Sequence, residues 1–314
     1  MPRKRRWRWR NSPPFGARTE FTFFKPGPRH TPAVGPLLLR PHSTFAAAFK
    51  AKAGGQEALP CTVPGSEFLP RPALGYPESM QNGRDRLIVA LDVASEEKAR
   101  ALVRRLGEGV SFYKVGKELF TAVGPALVRD LVAGGKKVFL DLKFHDIPNT
   151  VAGAVGSAAS LGVSFLTVHA SGGSKMLHAA AQAAAQSAAR PTVLAVTVLT
   201  SLASGDLEEV GVSAGVEAQV LRLAGLAVNT GCGGIVASAQ EAARLRHAFG
   251  SAFTLVTPGI RPAGGIAADQ ARVVTPEDAI RAGADYLVVG RPITAADDPC
   301  QAADAIIRQI DLSS

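Results

Sequence analysis

Cysteine is scarce in this 314-residue chain, and the three that occur do not cluster. Cys61, Cys232 and Cys300 stand far apart, with no CxxC pair and no group of histidines beside them. That excludes a disulfide framework and leaves no zinc-ligand spacing, so no metal is expected and a reducing, cytoplasmic setting fits best. Long apolar runs are missing as well. None approaches the roughly 18 residues needed to cross a bilayer, so no membrane partner is expected. Charge asymmetry is also absent once the chain is divided. The formal net charge is +9, but residues 1–79 hold 13 Lys/Arg against 4 Asp/Glu, which leaves 22 of each sign for residues 80–314. The larger part is neutral, which argues against nucleic acid as its partner.

What is present divides the same way. Residues 1–79 carry both tryptophans, 13 of the 21 prolines and 7 of the 14 phenylalanines, without a sustained period of 2 or 3.6. They read as a basic, Pro-rich extension that is disordered or not translated natively, with Met80 as the start. Two other readings stay open for the opening Met-Pro-Arg-Lys-Arg-Arg-Trp-Arg-Trp-Arg. It has the composition of an Arg-rich targeting peptide, and also of an arm whose arginines neutralise phosphates while its tryptophans stack on bases or sit at a membrane surface.

Beyond Met80, short β-branched runs alternate with Ala-rich amphipathic stretches. The runs are Leu87–Asp92, Phe112–Gly116, Val138–Lys143, Phe165–His169, Val193–Thr200, Gly234–Ala237, Phe253–Pro258 and Tyr286–Gly290. Among the helical stretches, Ser95–Leu106 opens with an N-cap serine and two acids, and another spans Gly172–Ala189. Eight βα units in residues 80–314 predict a (β/α)8 TIM barrel. The doubly wound dinucleotide fold shares the alternation but wants a Gly-rich turn after its first strand. Ala90-Leu91-Asp92-Val93-Ala94-Ser95 has no glycine.

A barrel of this kind builds its active site from the C-terminal ends of its strands. Those ends supply Asp92, Lys114, Asp141 with Lys143 and then Asp146, His169, Thr200 with Ser201, Arg261, and Gly290 with Arg291. Each has a plain structural alternative. Asp92 is equally suited to capping a helix, Lys114 to reaching solvent, and His145 and His169 to structural hydrogen bonding. Arg291 suits a surface, although glycine followed by arginine at the last strand of a barrel also suits a phosphate dianion. Asp141 and Lys143 share a strand face, and Asp146 follows as the strand ends, so two carboxylates are set around one lysine. The Gly- and Ala-rich stretch 261–270 and the stretch Thr200–Gly211 have the composition of lids.

Taken together, Ala90-Leu-Asp92, Tyr113-Lys114-Val-Gly116, the block Asp141–Thr150, Thr167-Val-His169-Ala, Leu199-Thr200-Ser201, Pro258-Gly-Ile-Arg261, Asp269-Gln270, Thr275-Pro276 and Val289-Gly-Arg-Pro-Ile293 resemble the orotidine 5'-phosphate decarboxylase family. The resemblance runs from about Leu87 to Ile307. It implies a homodimeric barrel without metal or organic cofactor that converts orotidine 5'-monophosphate to uridine 5'-monophosphate, the last step of de novo pyrimidine nucleotide synthesis. It further implies Lys143 as proton donor, with Lys114, Asp141 and Asp146 as charged neighbours and Asp146 coming from the other subunit. Asp92 and Thr150 are implied on the ribose side, Thr200 and Ser201 at the pyrimidine, and Arg261, Gln270, Gly290 and Arg291 around the phosphate. Two rivals remain: a metal-dependent phosphosugar decarboxylase sharing the DxKxxD pattern, and a nucleic-acid-binding protein that works through its basic arm.

Overall fold

The structure is a computed structural model that describes residues 82–262 and 274–313. Eight parallel strands close into a barrel in chain order: β1 Leu87–Ala90, β2 Phe112–Gly116, β3 Lys137–Phe144, β4 Phe165–His169, β5 Thr192–Val196, β6 Gly234–Val236, β7 Thr254–Thr257 and β8 Tyr286–Val289. Closure is made by β1 and β8, which pair Leu87 with Leu287 and Val89 with Val289. The expected (β/α)8 barrel is therefore the fold, and the doubly wound sheet is not. The extension read over residues 1–79 lies outside the described residues.

Helices cover the outside because each strand is apolar on both faces. Leu87, Val89, Tyr113, Val115, Val138 and Leu140 face outward into one layer with the helices. Ile88, Ala90, Phe112, Phe139, Phe165, Leu194, Val256 and Val288 fill the barrel interior. Three rings, Phe112, Phe165 and Tyr286, meet there with centroids 5.1 to 5.9 Å apart and close the lower barrel. β6 adds Gly234 at this crowded level, where a Cβ would lie 2.5 Å from both Leu194 Cδ2 and the Thr254 carbonyl oxygen. Because inward positions recur every second residue, the rings of Phe112, Phe139 and Phe165 place Lys114, Asp141 and Thr167 one layer higher.

The Ser95 cap forms as expected. Its hydroxyl accepts from the Lys98 amide, acids occupy the first turn and arginines the last turn of Glu96–Leu106. The second expected helix is Gly173–Gln186, shorter at both ends than the reading of Gly172–Ala189. Several strands also stop earlier than their apolar runs. β5 ends at Val196 rather than Thr200, because the Thr197 amide and hydroxyl both donate to the Val236 carbonyl and the chain then turns, Leu202 N donating to Leu199 O. β1, β7 and β8 likewise give up their last residues to loops. Within the stretch Thr200–Gly211, residues Ser204–Glu209 form a short helix, with the Ala203 amide donating to the Asp206 carboxylate. The 261–270 lid reading falls almost wholly outside the described residues.

At the opposite rim, Arg246 on the helix Ala239–Phe249 ties the starts of β7 and β8 together. Its guanidinium donates to the Asp285 carboxylate at 2.6 Å and to the carbonyls of Gly283 and Phe253, and it lies over the Phe253 ring. Asp285 also accepts from the Leu255 amide at 2.7 Å. Removing one partner of a largely buried ion pair strands the other. Arg246→Ala is therefore expected to lower the unfolding free energy by about 3 kcal/mol in urea denaturation, with Arg246→Lys recovering less than half because lysine lacks the planar fork. A loss below about 1 kcal/mol for Arg246→Ala would show that this clasp does not hold the rim.

Candidate active site

A cavity of about 380 Å³ opens at the C-terminal ends of the strands, above the aromatic floor. Its charged walls come from β1, β2, β3, β7 and β8 or the loops that follow them: Asp92, Lys114, Asp141, Lys143, Arg261 and Arg291. Thr200 and Ser201 enter from the turn after β5, and Gly290 from the end of β8. Apolar surface is supplied by Phe139, Val196, Leu199, Val236, Ile260 and Val288. The cavity thus combines an ionic lining with apolar surface.

The ionic side is a chain of alternating charge. Asp92 Oδ1 lies 2.7 Å from Lys114 Nζ, Lys114 Nζ lies 3.7 Å from Asp141 Oδ2, and both Asp141 oxygens lie 2.8 Å from Lys143 Nζ. Lys114 is only 8% exposed, so its burial depends on the carboxylates at either hand. Gly116 makes room for the first pair, since a Cβ there would sit 3.0 Å from Lys114 Nζ and 3.1 Å from Asp92 Oδ1. Burial pushes the Asp141 carboxyl up, but Lys143 and Lys114, with hydrogen bonds from Lys143 and Thr167, outweigh it and hold the carboxyl below the usual range.

Lys143 does not reach Asp141 by plain strand alternation. Leu140 pairs with Leu166 and Phe144 with Val168, so β3 advances four residues where β4 advances two. The excess forms a bulge in which Lys143 adopts φ of +52°. A left-handed conformation costs a β-carbon residue roughly 1–2 kcal/mol, so it needs support from its surroundings. Support comes from Thr167, whose hydroxyl accepts from the Lys143 amide at 2.9 Å and donates to Asp141 Oδ1 at 3.0 Å. Sequence reasoning gave Thr167 no role, although its place two residues above Phe165 on an inward face was a usable signal.

The expected residues are brought together unevenly. Asp92, Lys114, Asp141, Lys143, Thr200, Ser201, Arg261, Gly290 and Arg291 all line the cavity. Asp146 and Thr150 do not. Both are exposed, the Asp146 carboxylate accepting from the Ile147 amide, and Ile147 beside them is 66% exposed. Within one chain the charge order is thus Asp92, Lys114, Asp141, Lys143: Asp92 extends the row beyond Lys114, and Asp146, expected beyond Lys143, does not line the cavity. Gln270 lies outside the described residues. Arg261 is buried, its Nε without a hydrogen-bond partner among the described residues, and its amide donates to the Val274 carbonyl, clipping the two ends of the 263–273 segment together.

His169 ends β4 with its ring 5.6 Å from that of His145. Burial, then electrostatic interaction with His145 and the ammonium groups of Lys143 and Lys117, lower its pKa and favour the neutral ring. Neither histidine lines the cavity. Among the described residues no group of three His, Cys, Asp or Glu is placed to hold a metal ion, and no helix is long and apolar enough to cross a membrane.

Comparison with known proteins agrees with this geometry. Residues 85–306 match the family described as orotidine 5'-phosphate decarboxylase / HUMPS. The orotidine 5'-phosphate decarboxylase of Idiomarina loihiensis is 55% identical over 225 residues, spanning 72% of this chain and 97% of that protein. That of Moorella thermoacetica is 51% identical over 249 residues, spanning 77% and 99%. The crystal structure of the Lactobacillus acidophilus orotidine 5'-phosphate decarboxylase superposes with a TM-score of 0.64 at 41% identity, covering 71% of this chain and 98% of that one. With its closed barrel, its lysine–carboxylate chain and these matches over nearly the full length of its relatives, the chain belongs to the orotidine 5'-phosphate decarboxylase / HUMPS family.

Proposed function

We propose that residues 80–314 form a cytoplasmic carboxy-lyase that converts orotidine 5'-monophosphate to uridine 5'-monophosphate and CO2, as a homodimer and without metal or organic cofactor. The observation that carries this reading is the charge chain ending in Lys143 inside a cavity that also holds Thr200, Ser201, Arg261 and Arg291. Relatives that are more than half identical to this chain and carry the decarboxylase name support that substrate over a phosphosugar.

The reaction breaks the bond between C6 of the pyrimidine and its carboxylate carbon. CO2 leaves, the electron pair stays on C6, and a proton must then be delivered there. That pair occupies an sp2 orbital the ring cannot delocalise, so the barrier reduction required is large, on the order of 20 kcal/mol. Fixed charge is the available source. An ammonium beside C6 stabilises the developing carbanion and then protonates it, which is the role given to Lys143. Unit charges about 4 Å apart at an effective dielectric near 20 interact by roughly 4 kcal/mol, enough for Asp92, Lys114 and Asp141 to fix the lysine before substrate arrives. Asp141 also stands where the departing carboxylate would be disfavoured.

Thr200 and Ser201 are assigned to the pyrimidine, Asp92 to the ribose, and Arg261, Gly290 and Arg291 to the phosphate. Phosphate is remote from C6, yet its binding energy draws the site closed and excludes water. Asp146 and Thr150 are assigned to the partner subunit's site. Their exposure next to the exposed Ile147 supports this, since an apolar side chain flanked by functional polar groups suits contact with a second copy.

Replacement of Lys143 by alanine is expected to slow decarboxylation at least about a thousandfold, followed as the ultraviolet change on consuming orotidine 5'-monophosphate, while a chelator leaves the wild-type rate unchanged. Equal rates for the two proteins remove Lys143 from the chemistry. Arg291→Ala should cut kcat/KM by at least about a hundredfold, and inorganic phosphite should partly restore wild-type turnover of a substrate lacking the phosphoryl group. A kcat/KM for Arg291→Ala within a few-fold of wild type overturns the phosphate assignment. Since Asp141 binds its proton more weakly in the folded than in the unfolded chain, it adds stability that is present above the ordinary carboxylate range and lost as pH falls through its lower folded value. Asp141→Asn is accordingly expected to be less stable than wild type at pH 7, with the gap closing below about pH 4 in denaturation curves. A gap independent of pH contradicts the assigned charge state.

A further inference from the structure

We propose that Thr167 is a positioning residue for this chemistry. Its hydroxyl, shared between the Lys143 amide and the Asp141 carboxylate, holds the β3 bulge in the conformation that turns the lysine into the cavity. The proposal rests on the reading that Lys143 donates the proton, and it adds what aims that donor.

Thr167 is fully buried and does not line the cavity, so it acts only through other residues. It is the β4 residue between Leu166 and Val168, the two that register with Leu140 and Phe144, and it therefore faces the bulge directly. The extra residues of a bulge lack their usual strand partner, and the Lys143 amide finds a substitute in this hydroxyl. A hydroxyl has one proton to give and lone pairs to accept with, and Thr167 uses both capacities on members of the site. The other buried barrel threonines differ. Thr197 bonds only the backbone of the neighbouring strand, and Thr257 has no hydrogen-bond partner for its hydroxyl among the described residues. Valine at 167 would fill the same space but leave the Lys143 amide unpaired, and the left-handed turn would lose the bond that opposes its relaxation.

Displacing a catalytic group by about an ångström costs on the order of a hundredfold in rate, with ground-state binding little changed. The test compares wild type, Thr167→Ser, Thr167→Val and Thr167→Ala by kcat, KM, the pH profile of kcat and the thermal midpoint. Expected are a kcat about a hundredfold lower in the hydroxyl-free variants, KM within about threefold of wild type, and serine close to wild type. The acid limb of the kcat profile should also move to higher pH without the hydroxyl, because its bond to Asp141 favours the carboxylate. Valine or alanine variants with kcat within threefold of wild type overturn the proposal. So does a serine variant as slow as valine, or the failure of both hydroxyl-free variants to fold, since the hydroxyl would then be holding the barrel and not the lysine. Wild type without activity on orotidine 5'-monophosphate would instead overturn the proposed function, which keeps the two failures apart.

Discussion

A largely buried carboxylate facing two ammonium groups is the interaction around which this site is organised. Asp141 lies between Lys114 and Lys143 and also takes the Thr167 hydroxyl. Take away its charge, and Lys114, almost without solvent, would keep only Asp92. Ions removed from water are costly to hold, and they persist here because each cation has an anion and Asp141 takes a further hydrogen bond from Thr167. The strand ends meet this requirement through small adjustments. Gly116 leaves space for the Asp92–Lys114 pair, and β3 bulges to return Lys143 to the carboxylate two positions before it.

The two rims of the barrel divide labour. At one rim Arg246 and Asp285 bind strand starts to a helix with hydrogen bonds that are mostly to backbone, a use of charge that secures the fold. At the other, charge is directed into a cavity and part of it is left accessible to a ligand. Both rims pair a cation with an aspartate, arginine at one and lysine at the other, and they also differ in whether the remaining donors and acceptors end on the chain itself. This is the separation expected of a barrel whose function sits at the C-terminal ends of its strands.

Much of this was legible in the primary structure because it depends on local pattern. Phe112–Gly116 and Phe165–His169 coincide with β2 and β4, and Ser95 caps its helix, since apolar alternation and capping chemistry act over a few residues. Asp92, Asp141 and Arg291 were recognisable as site candidates because each follows an apolar run, and Lys114 because it is a charge set within one. The bulge was not legible. It is a mismatch of register between β3 and β4, set by pairing across some 25 residues of sequence, and nothing in Asp141-Leu-Lys143 announces it. Thr167, though part of the Thr167-Val-His169-Ala motif, was given no role for the same reason, its importance arising from what lies opposite it. Strand ends were overextended at β1, β5, β6, β7 and β8, where the chain passes from strand into loop without a change of composition.

The rings of Phe112, Phe165 and Tyr286 have a consequence for traffic. With the lower barrel filled, the cavity is a cul-de-sac, and nothing passes through to the opposite rim. Entry and exit therefore share one mouth. A product that keeps the handles by which its precursor was held must let go of them at the same doorway where the next molecule waits, and the tightness of that grip limits how quickly the doorway clears.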